Sequence, residues 1–437
     1  MALIHPQSCE CTLPGLDLFT VPPTQTAVLS GEWQEYYPIA TLTDTGPIEF
    51  VIKGTDQYLD LYNSYIQIQV KVVKADGSLL TAPDDDQHGP VNNFLHSLFS
   101  EVEVYVGGVQ VTTSSNLYPY RAYLENLLSY DVGAKSTQLA AELFYQDTAR
   151  HFNKATGTDN RGLNQRRNLT QRSKIVDMAG RLHVDLFQQG KFLLNKVDMR
   201  VRLIRSRDAF SLMMNGTNEY RVNMVNASLF IRKATVNPAV QVAHEKALEE
   251  ATAKYPLQRV VMKTFACPAG QQNITEDNIF MAQMPKRLVV GLVDSTAFNG
   301  NKGESPFEFK HHDVNYLALT EQGKQIPFRA LKPEFDNGGQ YARSYLSLFQ
   351  GLNTFGEDTG CDISPGEYKG GYALFCFDLS PSLLDGSQAE LLRSGSLRLE
   401  IGFKNALTNA VHVIVYGQFD GLIEINQARQ VLPSFAN

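Results

Sequence analysis

The chain has little of what marks a secreted scaffold, a membrane protein or a nucleic-acid coat. Five cysteines, Cys9, Cys11, Cys267, Cys361 and Cys376, are scattered through 437 residues. An odd number at irregular spacing makes no disulfide framework and fits a reducing compartment. Cys9 and Cys11 form a lone C-x-C with only His5 near it. A zinc site would need two more soft ligands at suitable spacing, so no metal is expected there. There is one tryptophan, Trp33, too few for the aromatic platforms of a glycan-binding surface. Residues 1–14 lack a basic stretch followed by an apolar core, so no secretory signal is expected. No window reaches the roughly 18 apolar residues of a membrane helix. The N-x-S/T triplets at Asn168, Asn215, Asn226 and Asn273 are therefore read as chance.

An excess of basic charge is missing too. The formal net charge is −7, whereas a protein that coats nucleic acid is usually basic. Catalytic signatures are absent: there is no G-x-S-x-G, no P-loop and no H-E-x-x-H. His311 and His312 are adjacent, and neighbours on a strand point to opposite faces, so they read as a polar strand start rather than a metal pair. His183 precedes Asp185 with no nucleophile beside them; a buried structural hydrogen bond is its expected role. Asp84, Asp85 and Asp86 read as a solvated loop tip. The chain is thus expected not to be an enzyme, with no cofactor, metal ligand or catalytic residue.

What is present is alternation. Residues 1–46, rich in Pro, Thr and Ser without a sustained period, read as an N-terminal arm that folds onto a neighbour in an assembly. From Pro47 the pattern turns to strands. Ile66, Ile68, Val70 and Val72 alternate with Gln67, Gln69 and Lys71, the period of a half-buried strand. Residues 101–111 read as a hairpin around Gly107-Gly108. Short helices are expected at 120–128 and 137–145, and further strands at 180–187, 196–204 and 220–232. Between them, residues 147–174 read as a long exposed basic loop. Its Arg161, Arg166, Arg167, Arg172 and Lys174 are candidates for contacting phosphates or a neighbouring subunit. No aromatics are interleaved there, which argues against base stacking.

Asn237-Pro238 is a good N-cap followed by a proline at the first helical position. A helix is expected from there to about Lys254, stopped by Pro256 and linking two domains. The resulting division is arm 1–46, first β domain 47–236, linker helix 237–255, second β domain 256–430 and C-terminal tail 431–437. The second half reads as strands at 259–266, 287–293, 314–319, 372–377, 396–403, 411–416 and 421–425, with a helix at 341–348.

The two halves share pattern fragments in the same order. Residues 101–106 match 313–318, 120–124 match 341–346, 184–186 match 377–379, 199–203 match 397–401, and 222–230 match 411–419. Preserved order points to duplication. Seven or eight strands per half joined by long irregular loops suggest Greek keys, and hence two tandem eight-stranded jelly rolls, all-β with short helical insertions.

The run Gly89-Pro-Val-Asn-Asn-Phe-Leu-His-Ser-Leu-Phe-Ser100 with the EVEVYVGG that follows resembles the major capsid proteins (hexons) of Polinton (Maverick) elements and adintoviruses. So do Gly46-Pro47-Ile48-Glu49-Phe50, Tyr118-Pro119-Tyr120-Arg121-Ala122-Tyr123, Gly180-Arg-Leu-His-Val-Asp-Leu-Phe187, Phe192-Leu-Leu-Asn-Lys-Val-Asp198, Arg205-Ser-Arg-Asp208, Pro285-Lys286-Arg287 and Ala297-Phe298-Asn299-Gly300. The likeness runs from about Pro22 to about Ile425.

The resemblance implies a double jelly roll of the tectivirus–adenovirus lineage and a structural protein of the virion. It implies homotrimers that form pseudo-hexagonal capsomers tiling an icosahedral shell around DNA, which the protein scarcely contacts. Single-jelly-roll penton and minor capsid proteins are its implied partners; an internal membrane is left open. It carries over no site residue. The other reading of two jelly rolls is a glycan-binding or glycan-processing protein.

Overall fold

Sheet order follows from where the alternating strands find partners. In the computed structural model, residues 4–43, 45–81, 87–154, 159–214, 219–336, 339–358, 360–383 and 388–434 are described. Asp84, Asp85, Asp86 and Asn215 lie outside them. In the first half, one sheet runs Val28–Tyr36, Tyr220–Val236, Tyr58–Lys74, Val176–Gly180, and the facing sheet runs Ile48–Ile52, Met199–Arg205, Phe99–Val106, Val109–Gln110. In the second half, the sheets run Ala253–Cys267, Val411–Ile425, Arg287–Asp294, Leu374–Asp378 and Asn273–Glu276, Ser394–Phe403, Val314–Glu321, Lys324–Leu331. Count the eight principal strands of each half in chain order. Both halves then place the first, eighth, third and sixth in one sheet and the second, seventh, fourth and fifth in the other. Each half is a jelly roll, and the second repeats the first.

Register explains the burial. Ile66 pairs with Leu229, Ile68 with Ala227 and Val72 with Val222, so one face of the Tyr58–Lys74 strand lines the core and Gln67 and Gln69 face away. A register shift between Met224 and Asn226 leaves Val225 on the surface. The hairpin at Gly107-Gly108 is present, both glycines having positive φ, with Val106 opposite Val109.

Several boundaries differ from expectation. The expected arm is partly sheet: Val28–Tyr36 pairs along Tyr220–Val236, because its exposed polar residues suit an edge strand. Residues 180–187 are not a strand. The strand ends at Gly180, and Asp185–Phe187 is a single 3-10 turn. The helix after Asn237 covers Pro238–Glu250, with the Asn237 side chain accepting from the Ala239 N–H. Pro256 does not stop it but sits in the strand Ala253–Cys267, a sheet edge, where a missing N–H is tolerated. Residues 411–425 form one strand. Within the expected C-terminal tail, Val431–Pro433 pairs with Ile423–Ile425. Among the described residues no helix is long and apolar enough to cross a membrane.

The two rolls share their cores. The helix Tyr118–Ser129 of the first half is buried nearly all round, and its Tyr120, Tyr123, Leu124, Leu127 and Leu128 belong to the apolar cluster of the second roll. Tyr123 stacks on Phe307 with ring centroids 4.3 Å apart. Conversely, Tyr255, Leu257, Ile423, Ile425 and Val431 pack into the cluster of the first roll. Hydrogen bonds close the seam: the Arg150 N–H donates to the Gly370 carbonyl at 2.7 Å, and the Tyr372 hydroxyl donates to the Asp147 carbonyl at 2.6 Å. Gly371, at φ +124, leaves room for the Phe152 ring where a Cβ would collide.

This interlocking predicts that the rolls unfold together. Phe307→Ala should lower stability by about 3–5 kcal/mol, the cost of an emptied aromatic site, and calorimetry should still show one transition. Two separated transitions would mean that the seam does not couple the halves.

Candidate functional site

The stretch of the arm ahead of its strand, residues 4–27, is exposed almost throughout. It carries Leu13, Leu16, Leu18, Phe19 and Val21, with Phe19 95% exposed. The strand that follows, Val28–Tyr36, has its outer edge unpaired in the sheet order, and Trp33 lies on it beneath the Arg232 guanidinium. On the second roll, Phe328 is 97% exposed beside an open groove of about 720 Å³ lined by Ile326, Pro327, Leu331, Phe355, Phe377 and Leu383. Exposed apolar patches and an uncovered sheet edge are where another chain docks.

The basic segment departs from expectation. It is not one exposed loop, because Arg161–Thr170 is a helix capped by the Asn160 side chain. Arg166 is fully buried. Its Nη2 meets the Asp147 carboxylate at 2.7 Å, its Nε donates to the Pro90 carbonyl at 2.9 Å, and its Nη1 donates to the Tyr145 carbonyl. It is an internal tie and drops out as a contact residue, since a guanidinium in that position satisfies buried acceptors that water cannot reach. Arg161, Arg172 and Lys174 are exposed and Arg167 is half-buried.

An ionic cluster that sequence reasoning missed lies at the seam. The Arg121 guanidinium meets Asp185 at 2.7 Å and Glu125 at 2.9 Å. Asp185 also accepts the Val260 N–H from the second roll at 3.2 Å. Glu125 accepts from Gln188 and meets His183 Nδ1, each at 2.6 Å. Burial would raise the Glu125 carboxyl, but Arg121 and these hydrogen bonds bring it down to about 2. Behind it, His96 Nε2 lies 3.3 Å from Glu142, His96 Nδ1 is 2.9 Å from the Tyr118 hydroxyl, and Asn126 donates to Glu142 at 2.8 Å. Burial pushes the His96 imidazole below its ordinary value. His96, Glu142 and His183 bring ligand atoms within 4.8 Å of one another. His183 does make the buried hydrogen bond expected of it. The remaining members come from segments far apart in the chain, which no local motif announces. His311 and His312 sit in the turn before Val314–Glu321, His311 stacked on Phe335.

No family model matches the chain. It is 26% identical over 427 residues to an uncharacterized protein of Caenorhabditis elegans, F54H12.2, covering 94% of this chain and 98% of that one. Among solved structures it is similar to a chain of the Sputnik virophage, with a TM-score of 0.65, 12% identity and coverage of 99% and 94% of the two chains. The mavirus major capsid protein gives 0.58, 12%, 99% and 97%, and the Faustovirus major capsid protein gives 0.59, 10%, 94% and 92%. The chain therefore has the double jelly-roll fold of these capsid proteins along its full length.

Two outcomes follow from the buried charges. Arg166→Ala leaves the buried Asp147 carboxylate without its cation, held among the described residues only by the Asn160 amide, removes a donor from two carbonyls and should cost about 3–5 kcal/mol, whereas Lys174→Ala should change stability by less than about 0.5 kcal/mol; urea unfolding measures both. Burial also pushes the His312 imidazole down to about 4, so the unfolded chain, with an ordinary value of about 6.5, takes up the proton first. The stability tied to His312 is complete above about 6.5, falls as pH drops toward about 4 and is flat below. Melting curves of His312→Asn should fall less steeply across that window; an unchanged slope would contradict the assignment.

Proposed function

We propose that the chain is the major capsid protein of a DNA-containing icosahedral particle, working as a homotrimeric, pseudo-hexagonal capsomer. The observation that supports this most is the repeated sheet order over the whole chain. Two rolls of one topology per chain give a trimer six similar walls, and a six-sided unit tiles a surface with few gaps. Its role is then structural, without catalysis, and its location is the virion. Its partners are copies of itself, a single-jelly-roll penton protein and minor capsid proteins. A net charge of −7 and an internal Arg166 fit DNA that is enclosed with little direct contact.

Assembly here is burial of surface between copies. Obligate interfaces commonly bury more than about 2,000 Å², and weaker contacts between capsomers add up through multivalency. The exposed apolar residues of the arm supply such surface, so in this reading residues up to Ala27 dock on a neighbouring copy and the strand Val28–Tyr36 anchors them. Arg161, Arg172 and Lys174 belong to the face toward the next capsomer. The resemblance to Polinton capsid proteins, together with a relative in a nematode, supports an integrated element as the source.

Electron microscopy tests the reading. The purified chain should show particles with a hexagonal outline, or shells. A chain lacking residues 1–27 should keep its melting temperature and lose shell formation; normal shells from it would overturn the role of the arm. Lone monomers that bind glycans would favour the glycan reading instead.

A further inference from the structure

We infer that His96, His183 and Glu142, all of the first roll, form a zinc-binding site close to the seam with the second. The three residues offer one ligand atom each, all within 4.8 Å of one another, and all three are buried. Two imidazoles and one carboxylate are a familiar zinc donor set, with a fourth position left for water. Tetrahedral zinc with bonds of about 2.0–2.1 Å holds its ligands about 3.3–3.4 Å apart. His96 Nε2 and Glu142 already stand 3.3 Å apart, and the third ligand atom, within 4.8 Å, joins them by a shift of up to about 1.4 Å.

The surroundings are those of a metal site rather than of a simple ion pair. Metal-binding histidines have their second nitrogen held by a carboxylate or another polar group. His183 Nδ1 is held by Glu125 at 2.6 Å, and Glu125 is held in turn by Arg121 and Gln188. His96 Nδ1 is held by the Tyr118 hydroxyl. His96 thereby keeps its Nε2 for a ligand role, and His183 offers a ring nitrogen within 4.8 Å of the other ligand atoms. His96 Nε2 is buried and, despite facing Glu142, makes no hydrogen bond of good geometry. No lysine or arginine among the described residues pairs with Glu142; its neighbours are His96 and Asn126. A dication at this point would face a buried carboxylate and two imidazoles. Gly180 makes room, since a Cβ there would collide with the Glu142 carboxylate. Of the three, His183 borders a cleft of about 290 Å³ that Glu125, Arg181 and Gln188 also line, the side from which an ion would reach the site. Zinc here would pin the turn of Glu142 and the loop of His183 to the short helix of His96, a staple close to the seam. The inference rests on these residues and does not depend on the capsid reading.

The full-length chain, stripped with a chelator and dialysed against zinc, should hold about one zinc per chain by elemental analysis. Cobalt in place of zinc should give the visible absorption of a four-coordinate ion, and removing the metal should lower the melting temperature. His96→Gln and Glu142→Gln should each lose the bound ion, while Cys9→Ser with Cys11→Ser should retain it. Wild-type protein that takes up no zinc or cobalt and melts unchanged overturns the site, whatever the variants do. Retention of the ion by His96→Gln and its loss with the two cysteines would place it in the arm and overturn the site equally.

Discussion

The burial of one helix, Tyr118–Ser129, between two β-sandwiches is the constraint on which the rest depends. A helix exposed on one side keeps a polar stripe; this one has none to spare and carries tyrosines and leucines around most of its circumference. Its apolar residues complete the core of the second roll, while its one cation, Arg121, compensates Glu125 and Asp185 on the side of the first. Remove that arrangement and both cores lose part of their cover. The ends of the second roll's strands make the reverse contribution, with Tyr255, Leu257, Ile423 and Ile425 seated in the first roll. The two halves are therefore one mechanical body.

That rigidity bears on what the protein can build. A shell unit must present the same faces at every position in the lattice, and a hinge between the rolls would spread those faces over many orientations. The ordering entropy of assembly is smaller when the unit is already fixed. The adaptable parts lie outside the seam. They are the exposed arm, the edge strand it leads into, and the loop surfaces around Phe328 and Phe355.

Much of the fold was legible because its signal is local. Alternation at Ile66, Ile68, Val70 and Val72 marks a strand wherever one face is buried, and the Asn237-Pro238 pair marks a helix start through backbone chemistry. The weak matches between the halves agree with the topology where residues 101–106 and 314–318 fall on the fourth principal strand of their rolls and 199–203 and 397–401 on the seventh, but 184–186, at a 3-10 turn, is no counterpart of 377–379, at a strand end. Edge strands were not legible. Val28–Tyr36 is exposed on nearly every residue, so it has no buried face to show as alternation, and its sequence looks no different from the arm around it. Nor was Arg166, whose neighbours in sequence are exposed while its buried partners, Asp147 and Pro90, come from other segments. The seam cluster escaped for the same reason, since ligands drawn from a short helix, a turn and a loop have no common spacing.

The most direct test is the mass of the chain in solution by light scattering, followed over a range of concentration and salt. Three chains of 48.7 kDa make a particle of about 146 kDa, and the account predicts that mass, or larger assemblies built from it, persisting on dilution as an obligate interface does. A stable monomer at every concentration and salt would contradict it.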